Sequence, residues 1–213
     1  MMKRILFIGD SITDAGRDYS NQNDLGKGYP LLVAGKLSAK YPEKDFLFLN
    51  RGINGNKLID VRNRWQADCL EWRPDIVSIL IGINDTWHNV SDPTEFALVK
   101  SLQRFEDNYR YLLESLKENN ISNIVLMEPF VLPIPEDRKS WRLDLDQKIH
   151  TIRHLAEEYH ALFVPLDGNL NALGIRYGFE KYTAEDGVHP TNLGHEIIAR
   201  SWIESIQTKE EWL

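Results

Sequence analysis

The chain has 213 residues, 42% of them hydrophobic and 27% charged, with a formal net charge of −7. That length and composition suit one folded domain and exclude a disordered chain; the acidic balance excludes a nucleic-acid binder, whose phosphate contacts need clustered lysine and arginine. A single cysteine, Cys69, excludes an internal disulfide framework.

In chain order, RILFIGD reads as a first strand that runs into Gly9-Asp10-Ser11. Its apolar part is too short for a secretory signal and no small-residue cleavage site follows. Residues 12–28 lack periodicity and read as a long loop, and residues 29–38 as a helix with Pro30 in its first turn. DFLFLNRG is a second strand, followed by Ile53-Asn54-Gly55. Leu58, Val61, Trp65 and Cys69 step by three and four, which predicts a helix with Trp65 on its core side. PDIVSILIGIND is a third strand ending at Gly82-Ile83-Asn84-Asp85; it is the longest apolar stretch and falls far short of a membrane span. Leu102, Phe105, Tyr109, Leu112, Leu113 and Leu116 mark the clearest helix. SNIVLMEPF is a fourth strand, and residues 130–140, with Pro133 and Pro135, a second long loop. Leu145, Ile149, Ile152, Leu155 and Tyr159 predict another helix. ALFVPLDG is a fifth strand, and Leu193, Ile197, Ile198 and Trp202 lie on a last helix. Strands without polar alternation, separated by amphipathic helices, predict an α/β fold with a parallel sheet covered on both faces. A cytoplasmic location with no membrane partner is expected.

Open α/β sheets bind ligands at the carboxyl ends of their strands. A serine there becomes a nucleophile if a base, a group orienting that base and oxyanion donors surround it. Ser11 is the candidate nucleophile. Asp186-Gly187-Val188-His189 supplies the base and its orienting carboxylate on one tight turn, and the last strand and the first can share an edge of the site. The backbone N–H groups of Ser11 and Gly55 and the side-chain amide of Asn84 are the candidate oxyanion donors. This chemistry calls for no cofactor and no metal. His150 and His154 have a chelating spacing, but no Glu follows as in the His-Glu-x-x-His pattern, and they read as a solvated helix face. The free base of His189 is required, so activity falls once acid protonates the ring.

FIGDSITD, NRGINGN, IGIND and DGVHP resemble the four sequence blocks of the SGNH hydrolases, also called the GDSL lipase/acylhydrolase family, in the family's order over residues 5–190. The resemblance implies a three-layer α/β/α sandwich with a flavodoxin-like sheet of five parallel strands, as one hydrolase domain over residues 1–213. It implies Ser11 as nucleophile, Asp186 and His189 as its triad partners, and Gly55 and Asn84 in the oxyanion hole. Ile12 stands where the family usually has leucine. No Gly-x-Ser-x-Gly elbow is present, so the classical α/β-hydrolase reading fails.

LGKGYP, Arg64-Trp65, IGINDTW, MEPF and LDQ are similar to segments of intracellular acetylxylan esterases of that family, which deacetylate xylo-oligosaccharides. An acetylated sugar substrate and a homo-oligomer, with the C-terminal EEWL as a contact, are what this resemblance implies. Glu185 stands where that group carries tryptophan. Trp87, three residues beyond Asn84, is a candidate sugar platform, with Tyr29 and Trp141 bordering the pocket. The rivals are a broader carboxylesterase, thioesterase or lysophospholipase, and a non-catalytic flavodoxin-like binding module.

Overall fold

Ile5 and Phe7 leave one side of the first strand and Leu6 and Ile8 the other, and all four are fully buried. A strand apolar on both sides has to lie between two layers. The computed structural model describes residues 2–213 and places helices on both faces of the sheet. β1 (Lys3–Gly9), β2 (Phe46–Gly52), β3 (Ile76–Leu80), β4 (Ile124–Met127) and β5 (Leu162–Val164) pair in parallel, in the order β2-β1-β3-β4-β5. The register sets Gly9 beside both Gly52 and Leu80, so β2, β1 and β3 leave the sheet on one rim.

One face of the sheet buries α2 (Tyr29–Lys40) and α8 (Asn192–Ile206) through Val33, Leu37, Ile198 and Trp202. The other buries α3 (Leu58–Asp68) and α5 (Val99–Glu118) through Leu58, Val61, Trp65, Phe105, Tyr109, Leu112 and Leu116. The buried indoles keep their N–H groups satisfied, Trp65 donating to Ser115 Oγ at 2.7 Å and Trp202 to Ser78 Oγ at 3.0 Å. The polar residue inside β3 is thus an acceptor for the opposite helix. α6 (Arg142–Glu158) closes the β4 side, with His150 and His154 exposed. This is the expected α/β/α sandwich with five parallel strands.

Three helices were not expected. α1 (Ser11–Asp14) and α4 (Ile83–Trp87) are single turns at strand exits, too short to show a period. α7 (Leu166–Tyr177) buries Leu166 and Leu170 but exposes Ile175 and Tyr177, and its two glycines blur the pattern. β1 and β5 are not neighbours in the sheet: β3 and β4 separate them. No helix among the described residues is long and apolar enough to cross a membrane.

Candidate active site

Ser11 is the first residue of α1, where the first backbone N–H groups have no partner inside the helix. Asp10 caps that helix, its Oδ1 accepting the Ile12 N–H at 3.0 Å. Asp10 is 1% exposed and its Oδ2 has no partner. Burial pushes its carboxyl up to about 7, against the pull of the Ile12 N–H and with a further push from Asp85.

His189 Nε2 lies 2.9 Å from Ser11 Oγ, and His189 Nδ1 lies 2.6 Å from Asp186 Oδ2. The other carboxylate oxygen of Asp186 accepts the N–H groups of Val188 at 2.8 Å and His189 at 2.9 Å. Partial burial raises the Asp186 carboxyl, but the His189 ring and these two amides outweigh it and hold the group below its usual range. An anion at Asp186 sets the tautomer: Nδ1 carries the proton and Nε2 is free to accept one from Ser11.

The turn carrying these groups reaches Ser11 by docking on the exit of β4, not through β5. The Leu132 N–H donates to the Gly187 carbonyl at 2.8 Å. Gly187 has φ +73, and a Cβ there would stand 2.1 Å from the Ile134 carbonyl oxygen, so only glycine permits this approach. Arg138 adds a clamp, its Nε donating to the Asp186 carbonyl at 2.8 Å while its guanidinium lies 4.2 Å from the Trp141 ring centroid.

Gly55 and Asn84 lie just beyond the exits of β2 and β3, the two strands that flank β1 and its Ser11. Gly55 has φ +75, in the left-handed region, and the space where its Cβ would stand is free of protein. The N–H groups of Ser11 and Gly55 find no acceptor among the described residues. Asn84 is 4% exposed, and one of its amide hydrogens donates to the Asn56 carbonyl at 3.1 Å, which fixes the side chain and leaves the other hydrogen free. Asp85, next in the chain, accepts the Leu58 N–H at 2.9 Å and ties the start of α3 to α4.

The aromatic expectations divide. Trp87 is half-buried with its ring 5.9 Å from that of His189, at the site's border. Tyr29 does not border the pocket. It is fully buried, edge-on to Phe7, with its hydroxyl 3.0 Å from Thr13 Oγ1, because the first turn of α2 faces the sheet. Trp141 is 2% exposed beneath Arg138 and against Trp87, so it backs the site wall and offers no face to a ligand. At the exits of β4 and β5 the polar residues serve the scaffold: Glu128 accepts the Asp167 N–H and pairs with Arg153, and Asp167 takes both ends of Arg142.

The open wall comes from residues that periodicity could not single out. A cleft of about 410 Å³ is lined by Ser11, His189, Asn54, Asp14, Arg17 and Tyr19 among others. Buried Asp14 organises it, accepting the N–H groups of Arg17 and Asn54 at 3.0 Å each and the Tyr19 hydroxyl. The only advance sign was a long polar loop leaving a strand end.

A hydroxyl, a correctly held imidazole and a carboxylate, with amide donors beside them at the rim of a parallel sheet, define a serine hydrolase of carboxylic esters. The chain belongs to the GDSL-like lipase/acylhydrolase family, which it matches over residues 7–197. It is 36% identical over 211 residues to an acetylxylan esterase of Geobacillus stearothermophilus, covering 96% of this chain and 94% of that one. A crystal structure of the Geobacillus stearothermophilus acetylxylan esterase Axe2 superposes with a TM-score of 0.84 at 35% identity, covering 96% and 94% of the two chains. A structure named as a GDSL-like lipase, from Parabacteroides merdae, does so with a TM-score of 0.86 at 37% identity, covering 95% and 94%.

Proposed function

We propose that this hydrolase removes acetyl groups from xylo-oligosaccharides or related sugars through an acyl-enzyme on Ser11. The observation that carries the reading is the unbroken relay from Ser11 Oγ through the His189 ring to Asp186, open to a cleft. The preference for an acetylated sugar is supported by the likeness to the acetylxylan esterase.

Ser11 Oγ attacks the acyl carbon as His189 Nε2 takes its proton. The carbonyl oxygen becomes an oxyanion, held by the N–H groups of Ser11 and Gly55 and the free amide hydrogen of Asn84. Collapse breaks the ester bond, and His189 returns the proton to the departing sugar hydroxyl. Water then attacks the acetyl-enzyme, again deprotonated by His189, and acetate leaves as Ser11 recovers its proton. Asp186 stabilises the imidazolium of both steps and holds the ring's orientation. Residues 1–213 act as one hydrolase domain in this reading, which also takes a cytoplasmic homo-oligomer as the working form, to be checked by cell fractionation and light scattering.

The test is an activity panel on acetylated xylo-oligosaccharides, peracetylated monosaccharides and p-nitrophenyl esters of two to eight carbons, run beside Ser11→Ala. The expected result is sugar deacetylation, preference for the acetyl ester, and a loss on the order of 10⁴-fold or more in Ser11→Ala. Preference for the octanoyl ester would replace this reading with that of a broader lipase or lysophospholipase.

A further inference from the structure

We infer that the sugar chain of the substrate continues from the ester across a ridge made by Arg17 and Tyr19 into a second subsite suited to a neutral oligosaccharide. This deepens the proposed function and rests on it. The catalytic cleft and a larger neighbour of about 530 Å³ have Arg17 and Tyr19 as a common wall. Tyr19 is 55% exposed, yet its hydroxyl is tied to buried Asp14 and the Arg17 guanidinium lies 4.5 Å from its ring centroid. Two anchors thus hold an aromatic ring upright at an open rim, where a ring free to rotate would lose entropy on binding.

Beyond the ridge the cleft presents planar hydrogen-bonding groups beside an indole. Arg51 is only 4% exposed, with its guanidinium 4.4 Å from the Trp72 ring centroid. Its Nη1 donates to the Gln22 and Asn50 carbonyls, while its other guanidinium nitrogens find no acceptor and it forms no ion pair among the described residues. Arg17 uses only Nε, which donates to the Gly52 carbonyl at 3.0 Å. None of these free nitrogens is a buried atom, so solvent reaches them and the acceptors of a ligand can replace that water. Carboxylates in the same cleft weigh against an anion. Asp68 and Glu71 line the same cleft as the two arginines, Asp68 already paired with Arg64 and Glu71 without a cation of its own. Cations and carboxylates on one wall, with the Gln22 amide and the Trp72 and Tyr19 rings, match a polyol that both donates and accepts and has apolar ring faces.

The test compares kcat/KM on an acetylated xylose monosaccharide, an acetylated xylotetraose and p-nitrophenyl acetate for the wild type, Glu71→Ala and Gln22→Ala. Both substituted side chains are exposed and make no hydrogen bond or ion pair of their own among the described residues, so the fold should tolerate their loss. The expected result is a wild-type kcat/KM about tenfold higher on the tetraose than on the monosaccharide, carried by KM. Each variant should lower the ratio of tetraose to p-nitrophenyl acetate activity by roughly fivefold, the effect of one lost hydrogen bond. Equal wild-type rates on the two sugars, or an unchanged ratio in both variants, would overturn the subsite and leave deacetylation standing. Turnover of p-nitrophenyl acetate with none of any acetylated sugar would remove the substrate reading itself, and the subsite with it.

Discussion

Asn84→Ala isolates the one proposed oxyanion donor that is a side chain. Asn84 is buried on α4, held by the Asn56 carbonyl at 3.1 Å, with its second amide hydrogen free. Truncation leaves the Ser11 and Gly55 N–H groups in place and does not touch the relay from Ser11 to Asp186. One donor of three is lost at the moment negative charge develops, which corresponds to about 3–4 kcal/mol of transition-state stabilisation, or roughly 10²–10³-fold in kcat. The ground-state carbonyl carries little charge, so KM for p-nitrophenyl acetate should move by less than about threefold. The released Asn56 carbonyl costs about 1 kcal/mol of fold stability unless water reaches it. Steady-state kinetics with a thermal melt of both proteins makes the measurement. A kcat within about fivefold of wild type, in a variant with an unshifted melt, would refute the assignment of Asn84 to the oxyanion hole.

Two further outcomes follow from the same geometry. Asp186→Asn keeps the shape of the turn but places an amide where the Nδ1–H must be accepted; kcat should fall on the order of 10⁴-fold with little change in melting, and a loss under about tenfold would mean the ring is oriented by something else. Asp10 has a folded pKa of about 7, above its unfolded value, so both states hold the proton below about pH 4 and only the folded state holds it between 4 and 7. Stability therefore falls as pH rises through that window, by up to about 4 kcal/mol, and stays at the lower level above it. Asp10→Asn should lack this loss, and urea unfolding of both proteins at pH 4.5 and 8 should show the gap between them widening toward pH 8; a constant gap would contradict the burial argument.

The strands could be read from the chain because a parallel strand covered on both faces is mostly apolar without alternation; β1, β3 and β4 are buried along most of their length, while the edge strands β2 and β5 are partly exposed. The long helices α3, α5, α6 and α8 showed because each buries one stripe at helical spacing. The triad and oxyanion candidates were visible for a different reason: each is a small or polar residue placed where a strand or turn ends, and Gly55 and Gly187 lie at a positive φ that favours glycine. What lies beyond nearest neighbours in the chain was decided by packing. The meeting of Ser11 with His189, 178 residues away, depends on the Gly187 turn docking onto the exit of β4, a contact between carbonyls and amides that carries no side-chain signal. Tyr29 and Trp141 were indistinguishable from pocket aromatics until the tilt of α2 and the stack under Arg138 turned them inward. The wall of Asp14, Arg17 and Tyr19 exists only because the loop after α1 folds back and Asn50 pins it, its Nδ2 donating to the Thr13 carbonyl at 2.7 Å and the Leu25 carbonyl at 2.8 Å. Local periodicity reports which residues must be covered; which side chains share a cleft is set by long-range contacts whose partners can be read only once the chain is folded.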